Sequence, residues 1–397
     1  RYEKTNAHCE VMLAGGGAAG LMAALQAGRS GARVILADEQ NEFGGWLLGE
    51  SDTTIDGKAP ADWVAGVVAE LEAMPEVTLL PRTTVFGYMD HNYITLTERV
   101  TDHLGERPTH LPRQRMWKVR AGQTVLAQGA HERPLVFSGN DLPGVMLSGA
   151  VRSYITRYGV VPGNRTVVFT NNDDAYRTAL ALHGAGAHVV VVDLRRDLKG
   201  ELVKAVRAAG IEVMSGSAVT IAAGTQRIAR VEISPVNEGS TQVLDDPIHM
   251  DCDLLAMSGG LTPAVHLHSQ ARGKLGWDEQ QLCFKPTTVH EASFNAGAGN
   301  GVFATDKAIE NGMQAGTAAA RAAGFDIADG SAPEVAAPAQ SWRPLAAWKV
   351  TNGMGEGEGP KAFVDYQNDV TASDVKLAVR EGYQSVEHVK RYTTLGM

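Results

Sequence analysis

The run Gly15-Gly16-Gly17-Ala18-Ala19-Gly20 constrains the fold more than any other part of this sequence. Gly15, Gly17 and Gly20 fill the three positions of G-x-G-x-x-G. The first glycine permits a tight turn, the second lets backbone approach a pyrophosphate, and the third lets a helix pack on a strand. The context is the one this motif requires. An apolar run over Cys9 to Ala14 precedes it, an Ala/Leu/Met-rich helical stretch from Ala18 to Ala27 follows, and a second strand, Arg33-Val34-Ile35-Leu36-Ala37, ends at Asp38-Glu39. A helix opening at Ala18 and Ala19 offers unpaired N–H groups and a partial positive charge to phosphates. An acid after the second strand is placed to hold a ribose hydroxyl; Glu39, five residues before the Gly44-Gly45 pair, is preferred over Asp38, and Gly45 is assigned to the same site. The alternative is that the glycines close a turn in a Rossmann domain that binds nothing.

The same strand–helix–strand grammar restarts at Arg165. Thr166 to Thr170 reads as a strand, Asp173 to His183 as a helix, His188 to Val192 as a strand ending at Asp193, Glu201 to Ala209 as a helix and Ile211 to Met214 as a strand. Alternation of this kind implies parallel, doubly wound sheets. The late strand Leu254-Leu255-Ala256-Met257 and an Ala-rich helix near Ile309 to Ala323 need a sheet to join, and the first domain is the expected host. The fold class is therefore α/β, with two Rossmann-like units, the second inserted in the first, and a small C-terminal domain. The expected boundaries are 1–155 with 254–326 for the first unit, 156–253 for the second, 327–360 for a linker and 361–397 for the small domain. Ala328 to Pro344 reads as linker and Gly353 to Gly359 as a mobile loop. Thr371-Ala372-Ser373-Asp374 opens a helix reaching about Glu381, and a second runs from about Val386 to Tyr392.

Between its first strand and helix the second unit carries Asn171-Asn172-Asp173-Asp174, without glycine. Carboxylates suit a helix N-terminus, but they occupy the place of a phosphate. Two like charges about 4 Å apart repel by roughly 4 kcal/mol at an effective dielectric of 20. A nicotinamide cofactor is not expected to dock there, and Arg195-Arg196 reads as a solvated basic loop. His131 reads as a loop histidine, with an acid–base role as the alternative; His266 and His268 alternate as on a strand, with no third ligand at metal-site spacing. Cys9, Cys252 and Cys283 form no C-x-x-C pair, which fits a reducing cytoplasm. The net charge of −9, with no basic run, gives nucleic acid no footprint. No apolar stretch approaches the roughly 18–20 residues needed to span a bilayer, and Arg1 to Cys9 lacks the apolar core of a signal peptide.

Two further segments support a bound dinucleotide. Val125 to Ala130 looks like the strand-and-turn A-T-G element of flavin and disulfide-reductase-like domains, with Gln128 for the Thr and Gly129 at the turn. Gly301 to Asp306 resembles their late G-D element, with Thr305 where a Gly is usual, so Asp306 is either a cofactor contact or a helix cap. Longer strings resemble the alpha subunit of heterotetrameric sarcosine oxidase: Gly87 to Tyr93, Gly129 to Phe137, Asp141 to Leu147, Val168 to Asp173, Val265 to Gln270 and Lys361 to Met397. Alpha subunits of opine, proline and cyanide-forming amine dehydrogenases share the frame.

The resemblance implies an assembly with beta, gamma and delta subunits that oxidises sarcosine to glycine, gives hydrogen peroxide and passes the one-carbon unit to tetrahydrofolate. It implies NAD in the first Rossmann unit, on Gly15, Gly17, Gly20 and Glu39, FMN at the interface with the beta subunit, and FAD in the beta subunit. Relatives with an iron–sulfur domain carry C-x-C where this chain has Asp365 and Gln367, so no cluster is expected. The chain reads as the central fragment of such a subunit. Two alternatives stay open: an alpha subunit of a sister dehydrogenase with FAD in the same pocket, and a non-catalytic scaffold with structural NAD. A free-standing disulfide reductase ranks below both.

Overall fold

The strands flanking the glycine motif are unbroken apolar runs over Val11–Ala14 and Val34–Ala37 because the first sheet is covered on both faces there. In the computed structural model, which describes residues 1–238, 242–244, 246–350 and 359–397, Val11, Leu13, Val34, Leu36 and Val125 share one core with the helix Ala18–Arg29. The alternate residues Met12, Ala14, Ile35, Ala37 and Leu126 enter a second core with Tyr88, Ile94 and Leu96. Parallel strands buried on both faces read as unbroken apolar runs for this reason. The sheet runs in the order Val77–Leu80, Val34–Ala37, Tyr2–Ala14, Gln114–Leu126, Tyr93–Arg99, Thr83–Met89, with Ser293–Asn295 also beside Gln114–Leu126. Its first four strands are mutually parallel and its last two form an antiparallel meander.

The chain divides into two compact units, Arg1–His131 with Leu261–Pro338, and Glu132–Gly260 with Ala339–Met397. Residues 132–260 of the second are thus inserted in the first, while its residues 339–397 follow the first in the chain. The second unit's main sheet is wholly parallel, in the order Glu212–Ser215, His188–Asp193, Arg165–Thr170, Leu254–Ser258, Val145–Leu147.

Several local expectations are corrected. Leu254–Ser258, expected in the first sheet, lies in the second, paired with Arg165–Thr170 from Thr166↔Leu254 to Thr170↔Ser258. Asp253 sets this register: its N–H donates to the Arg165 carbonyl (3.0 Å) and its carboxylate accepts the Arg165 N–H (2.9 Å). All five strand residues are buried, so the run carries no periodicity to identify its sheet. Val145–Leu147 and the helix Ser148–Thr156, placed by sequence in the first unit, belong to the second for the same topological reason. The late strand of the first sheet is instead Ser293–Asn295, and the helix after it spans Thr305–Ala322.

The supposed linker is partly built into both units. Val335–Ala336 pairs with Thr54–Ile55 in the first, while Ser341 and Leu345 donate backbone N–H groups to Asp173 and Asn171 in the second. Residues 353–358 of the glycine-rich loop lie outside the described residues. His266–Gln270 is a short helix rather than a strand, and His268 is buried between the Lys274 carbonyl (3.1 Å) and Asn295 (3.2 Å). The C-terminal residues form Phe363–Asp365 paired with Val370–Thr371, then the helices Ala372–Arg380 and Val386–Thr393. Thr371 and Asp374 close a reciprocal capping box on the first of these helices. No helix among the described residues is long and apolar enough to cross a membrane.

Candidate functional site

Each glycine of the motif meets a different physical constraint. Gly15 has φ +101°, and a Cβ there would stand 2.3 Å from the Ala127 carbonyl oxygen. A Cβ on Gly20 would stand 1.8 Å from the Gly15 carbonyl oxygen, so the helix can seat on the turn only without a side chain. Gly17 differs, because no protein atom lies within 4 Å of its Cβ position. It is the N-cap of the helix Ala18–Arg29, which has no side-chain cap and no acid in its first turn. The N–H groups around Ala18 and Ala19 therefore face an uncapped helix start, a cradle that fits a diphosphate.

The cradle is held from behind. Asp38 accepts the Gly16 N–H at 2.7 Å and the Gln40 N–H at 2.8 Å, and Gly44 donates its N–H to the Gly16 carbonyl at 2.8 Å. Gly45, at φ +54°, comes close enough that a Cβ would lie 3.2 Å from the Gly17 Cα. Of the two adjacent acids, the structure brings Asp38 to the glycine loop. The Glu39 carboxylate is exposed and takes no hydrogen bond from the described residues; its carbonyl accepts from Arg99 at 2.6 Å.

Gly129, at φ +78°, sits on the turn that follows Ala127, beside Gly299, whose Cβ would lie 3.5 Å from the Gln128 nitrogen. Asp306 is exposed on the first turn of Thr305–Ala322, a helix without a side-chain cap. Sequence reading missed the residues that seat this helix. Cβ atoms on Gly312 and Gly316 would stand 2.2 and 2.3 Å from the Ala19 and Ala23 carbonyl oxygens. The available signal was two glycines four apart opposite two alanines four apart, which lets two helices approach to backbone contact. Phe43, which packs its ring on Gly16, was also missed.

The corresponding junction in the second unit is filled with charge. Arg195 donates to Asp173 (2.6 Å) and Asp193 (2.7 Å), Arg152 donates to Asp174 (3.1 Å), and the Tyr176 hydroxyl donates to Asp193 (2.8 Å). The Arg195 side chain is only 17% exposed, which corrects the expectation of a solvated basic loop. Burial opposes its charge, yet the bonds to Asp193 and Asp173 hold its guanidinium above the ordinary range. Burial lowers Arg177 to about 10 and raises the Tyr176 phenol, which the Asp193 charge raises further. The two adjacent acids thus relieve their repulsion by taking separate arginines.

A second carboxylate in this unit lies at another helix start. Glu132 accepts the Gly149 N–H at 2.7 Å at the head of Ser148–Thr156, while its Oε1 is buried without a hydrogen-bond partner. Burial pushes its carboxyl up to about 7, against the pull of Ser258 and with the help of the Asp174 charge. His131 and His266 are both exposed, with ring centroids 6.3 Å apart. The cysteines are all buried, and burial pushes the Cys9 and Cys252 thiols up to about 12, far from a reactive thiolate. No group of three metal-ligating side chains occurs among the described residues. The first junction is thus an open helix start free of side chains, whereas the second is closed by ion pairs.

Comparison with known proteins agrees with this geometry. Residues 359–397 match the sarcosine oxidase A3 domain, and residues 9–283 match the pyridine nucleotide-disulphide oxidoreductase family. The chain is 42% identical to the sarcosine oxidase alpha subunit of Corynebacterium sp. strain P-1, over 99% of this chain and 41% of that protein. It is likewise 42% identical to the Rhizobium meliloti alpha subunit, over 100% of this chain and 38% of that one. It thus spans about two fifths of the length of these relatives. L-proline dehydrogenase from P. horikoshii shares the fold, with a TM-score of 0.68 at 17% identity, over 100% of this chain and 71% of that one. With its flavoprotein-like fold and two nested Rossmann units, this chain belongs to the pyridine nucleotide-disulphide oxidoreductase family, and within it resembles sarcosine oxidase alpha subunits along nearly its whole length.

Proposed function

We propose that this chain is the dinucleotide-binding part of a sarcosine oxidase alpha subunit and that it holds NAD in its first unit. One observation carries the cofactor site. Of two equivalent strand–loop–helix junctions, Gly15–Gly20 leaves open space at a helix start with no acid in its first turn, whereas the other is filled by Asp173, Asp174 and their arginines. The identity to sarcosine oxidase alpha subunits, sustained over nearly the whole chain, supports the assembly.

In this reading Gly15, Gly17 and Gly20 admit the pyrophosphate, and the N–H groups at Ala18 and Ala19 bind it. Asp38 braces the glycine loop, Glu39 would take the adenosine ribose, and Gly45 and Gly129 would leave the cleft free of side chains. Asp306, on the first turn of Thr305–Ala322, is a further candidate contact. A nicotinamide dinucleotide, when bound, supplies hydride-transfer chemistry; this chain's residues bind and orient it. The assembled oxidase, with beta, gamma and delta partners, FMN at the beta interface and FAD in the beta subunit, would remove two electrons and two protons from sarcosine. Oxygen would take them as hydrogen peroxide, and the one-carbon unit of the resulting imine would pass to tetrahydrofolate, leaving glycine.

The test is to release the ligand from the intact native protein by denaturation and identify it by absorbance and mass. NAD, together with sarcosine-dependent oxygen uptake by the same preparation, is the expected result. A flavin held by this chain in the glycine cradle would overturn the cofactor assignment and favour a sister dehydrogenase.

A further inference from the structure

The turn Gly297–Gly301 is pressed against the start of the helix Ala18–Arg29. A Cβ on Gly297 would stand 2.6 Å from the Ala19 Cβ, and Gly299 lies beside the backbone of Gln128 and Gly129. One end of the turn is held from the helix Thr305–Ala322, where Asn311 accepts the Gly297 N–H at 2.9 Å. The other end is held from a different place. The Gly301 carbonyl accepts the Gln281 side-chain amide at 3.0 Å, and the Gln281 carbonyl oxygen accepts the Lys285 ammonium at 3.2 Å. Lys285 is paired in turn with Asp278 at 2.6 Å, and its aliphatic stem covers Gly301 so closely that a Cβ there would meet Lys285 Cδ at 2.1 Å.

Asp278 is itself fixed. Its other oxygen accepts the Gln280 and Gln281 N–H groups at 2.9 and 2.8 Å. The Lys285 hydrogen bond leads the interactions that hold its carboxyl down at about 2, so the carboxylate is charged throughout the ordinary pH range. These residues sit on the hairpin Lys274–Asp278 and Cys283–Thr288, whose opposite face exposes Trp277 and Phe284. The relay therefore links that hairpin to a turn that shapes the cradle.

Resting on the reading that the glycine cradle holds a dinucleotide, we propose that Lys285 and Gln281, anchored by Asp278, are positioning residues for that cofactor. Their role is exerted through the turn. They fix the Gly301 end of the Gly297–Gly301 turn, and so the packing of that turn on Ala19, at the start of the phosphate-binding helix. Residues that position a site from behind it alter affinity through the geometry of the groups they support.

The experiment measures NAD binding by titration calorimetry, and hydrogen exchange at residues 297–303, in the intact protein after its bound nucleotide is dialysed out. Lys285→Met keeps the stem and removes the charge; Gln281→Leu breaks the links to the Gly301 carbonyl and to the Lys285 ammonium but leaves the Lys285–Asp278 pair. Each is expected to weaken binding by on the order of tenfold and to speed exchange in the turn. Lys285→Arg should recover most of the loss, and Trp277→Ser, on the far face of the hairpin, should change neither readout. Variants that melt earlier but bind within about twofold of the parent would overturn the relay, as would equal weakening by Trp277→Ser. If the intact protein yields FAD instead of NAD, the cofactor assignment fails. The relay then stands or falls on FAD retention in the same variants.

Discussion

The two Rossmann units begin alike and diverge over about six residues. In each, a buried parallel strand runs into a helix, but one junction is Gly15–Gly20 and the other Asn171–Asp174. A helix start presents N–H groups that need a negative partner. The first unit leaves that need open by withholding side chains. The second answers it internally: the Asn172 side-chain oxygen accepts the Asp174 N–H, and the neighbouring carboxylates are paired with Arg152 and Arg195. Glu132 repeats the internal answer at the head of Ser148–Thr156. A shared topology is therefore no guide to how many nucleotides a chain holds; the chemistry of the junction is.

The comparison is most exposed at Arg195. Arg195→Met strands Asp173 and Asp193 without their cation, and removing one partner from a buried pair costs about 3–5 kcal/mol. Chemical denaturation should show that loss while bound nucleotide stays unchanged; a fall in nucleotide content would show that the second junction does bind. Gly17→Val comes next. Its Cβ meets no protein atom, so the melting temperature should hold while nucleotide affinity drops by roughly 100-fold, about 2.7 kcal/mol. A variant that unfolds would instead make Gly17 a structural glycine like Gly20.

The third expectation concerns pH. Burial raises Glu132 to about 7, so between its ordinary range near 4.5 and 7 the folded protein binds more protons than the unfolded chain. Stability contributed by this group is therefore complete at low pH and declines as pH rises through that window, by about 3 kcal/mol in all. Glu132→Gln should abolish this slope in melts taken from pH 5 to 8, and an unchanged slope would assign it elsewhere. The smallest effect is Tyr176→Phe. The lost bond to Asp193 should cost about 1 kcal/mol, with nucleotide affinity untouched.

Much of this contrast was legible in sequence because it is local. The glycine motif, the missing glycine at Asn171–Asp174 and the Thr371–Asp374 capping box each declare themselves within a few residues. What sequence reading missed depends on pairing across the chain. Arg195 looked like a solvated loop residue because its partner Asp173 lies 22 positions away. Leu254–Ser258 carried no mark of its sheet because that choice is made through Asp253 and Arg165, 88 positions apart. Of the two acids after the second strand, spacing alone favoured Glu39, while the hydrogen bond that draws Asp38 to Gly16 is a product of the folded loop.

The seating of Thr305–Ala322 on Ala19 and Ala23 has a consequence for biosynthesis. The glycine-motif segment leaves the ribosome some 280 residues before the helix that packs on it. At about 5–20 residues per second that interval lasts roughly 15–60 s, during which the alanine face of Ala18–Arg29 has no partner. A nascent chain arrested before Thr305 should retain no dinucleotide, whereas one released after Ala322 should. The nucleotide would then serve as a late checkpoint, captured only once the inserted unit has been threaded through and the first one closed around it.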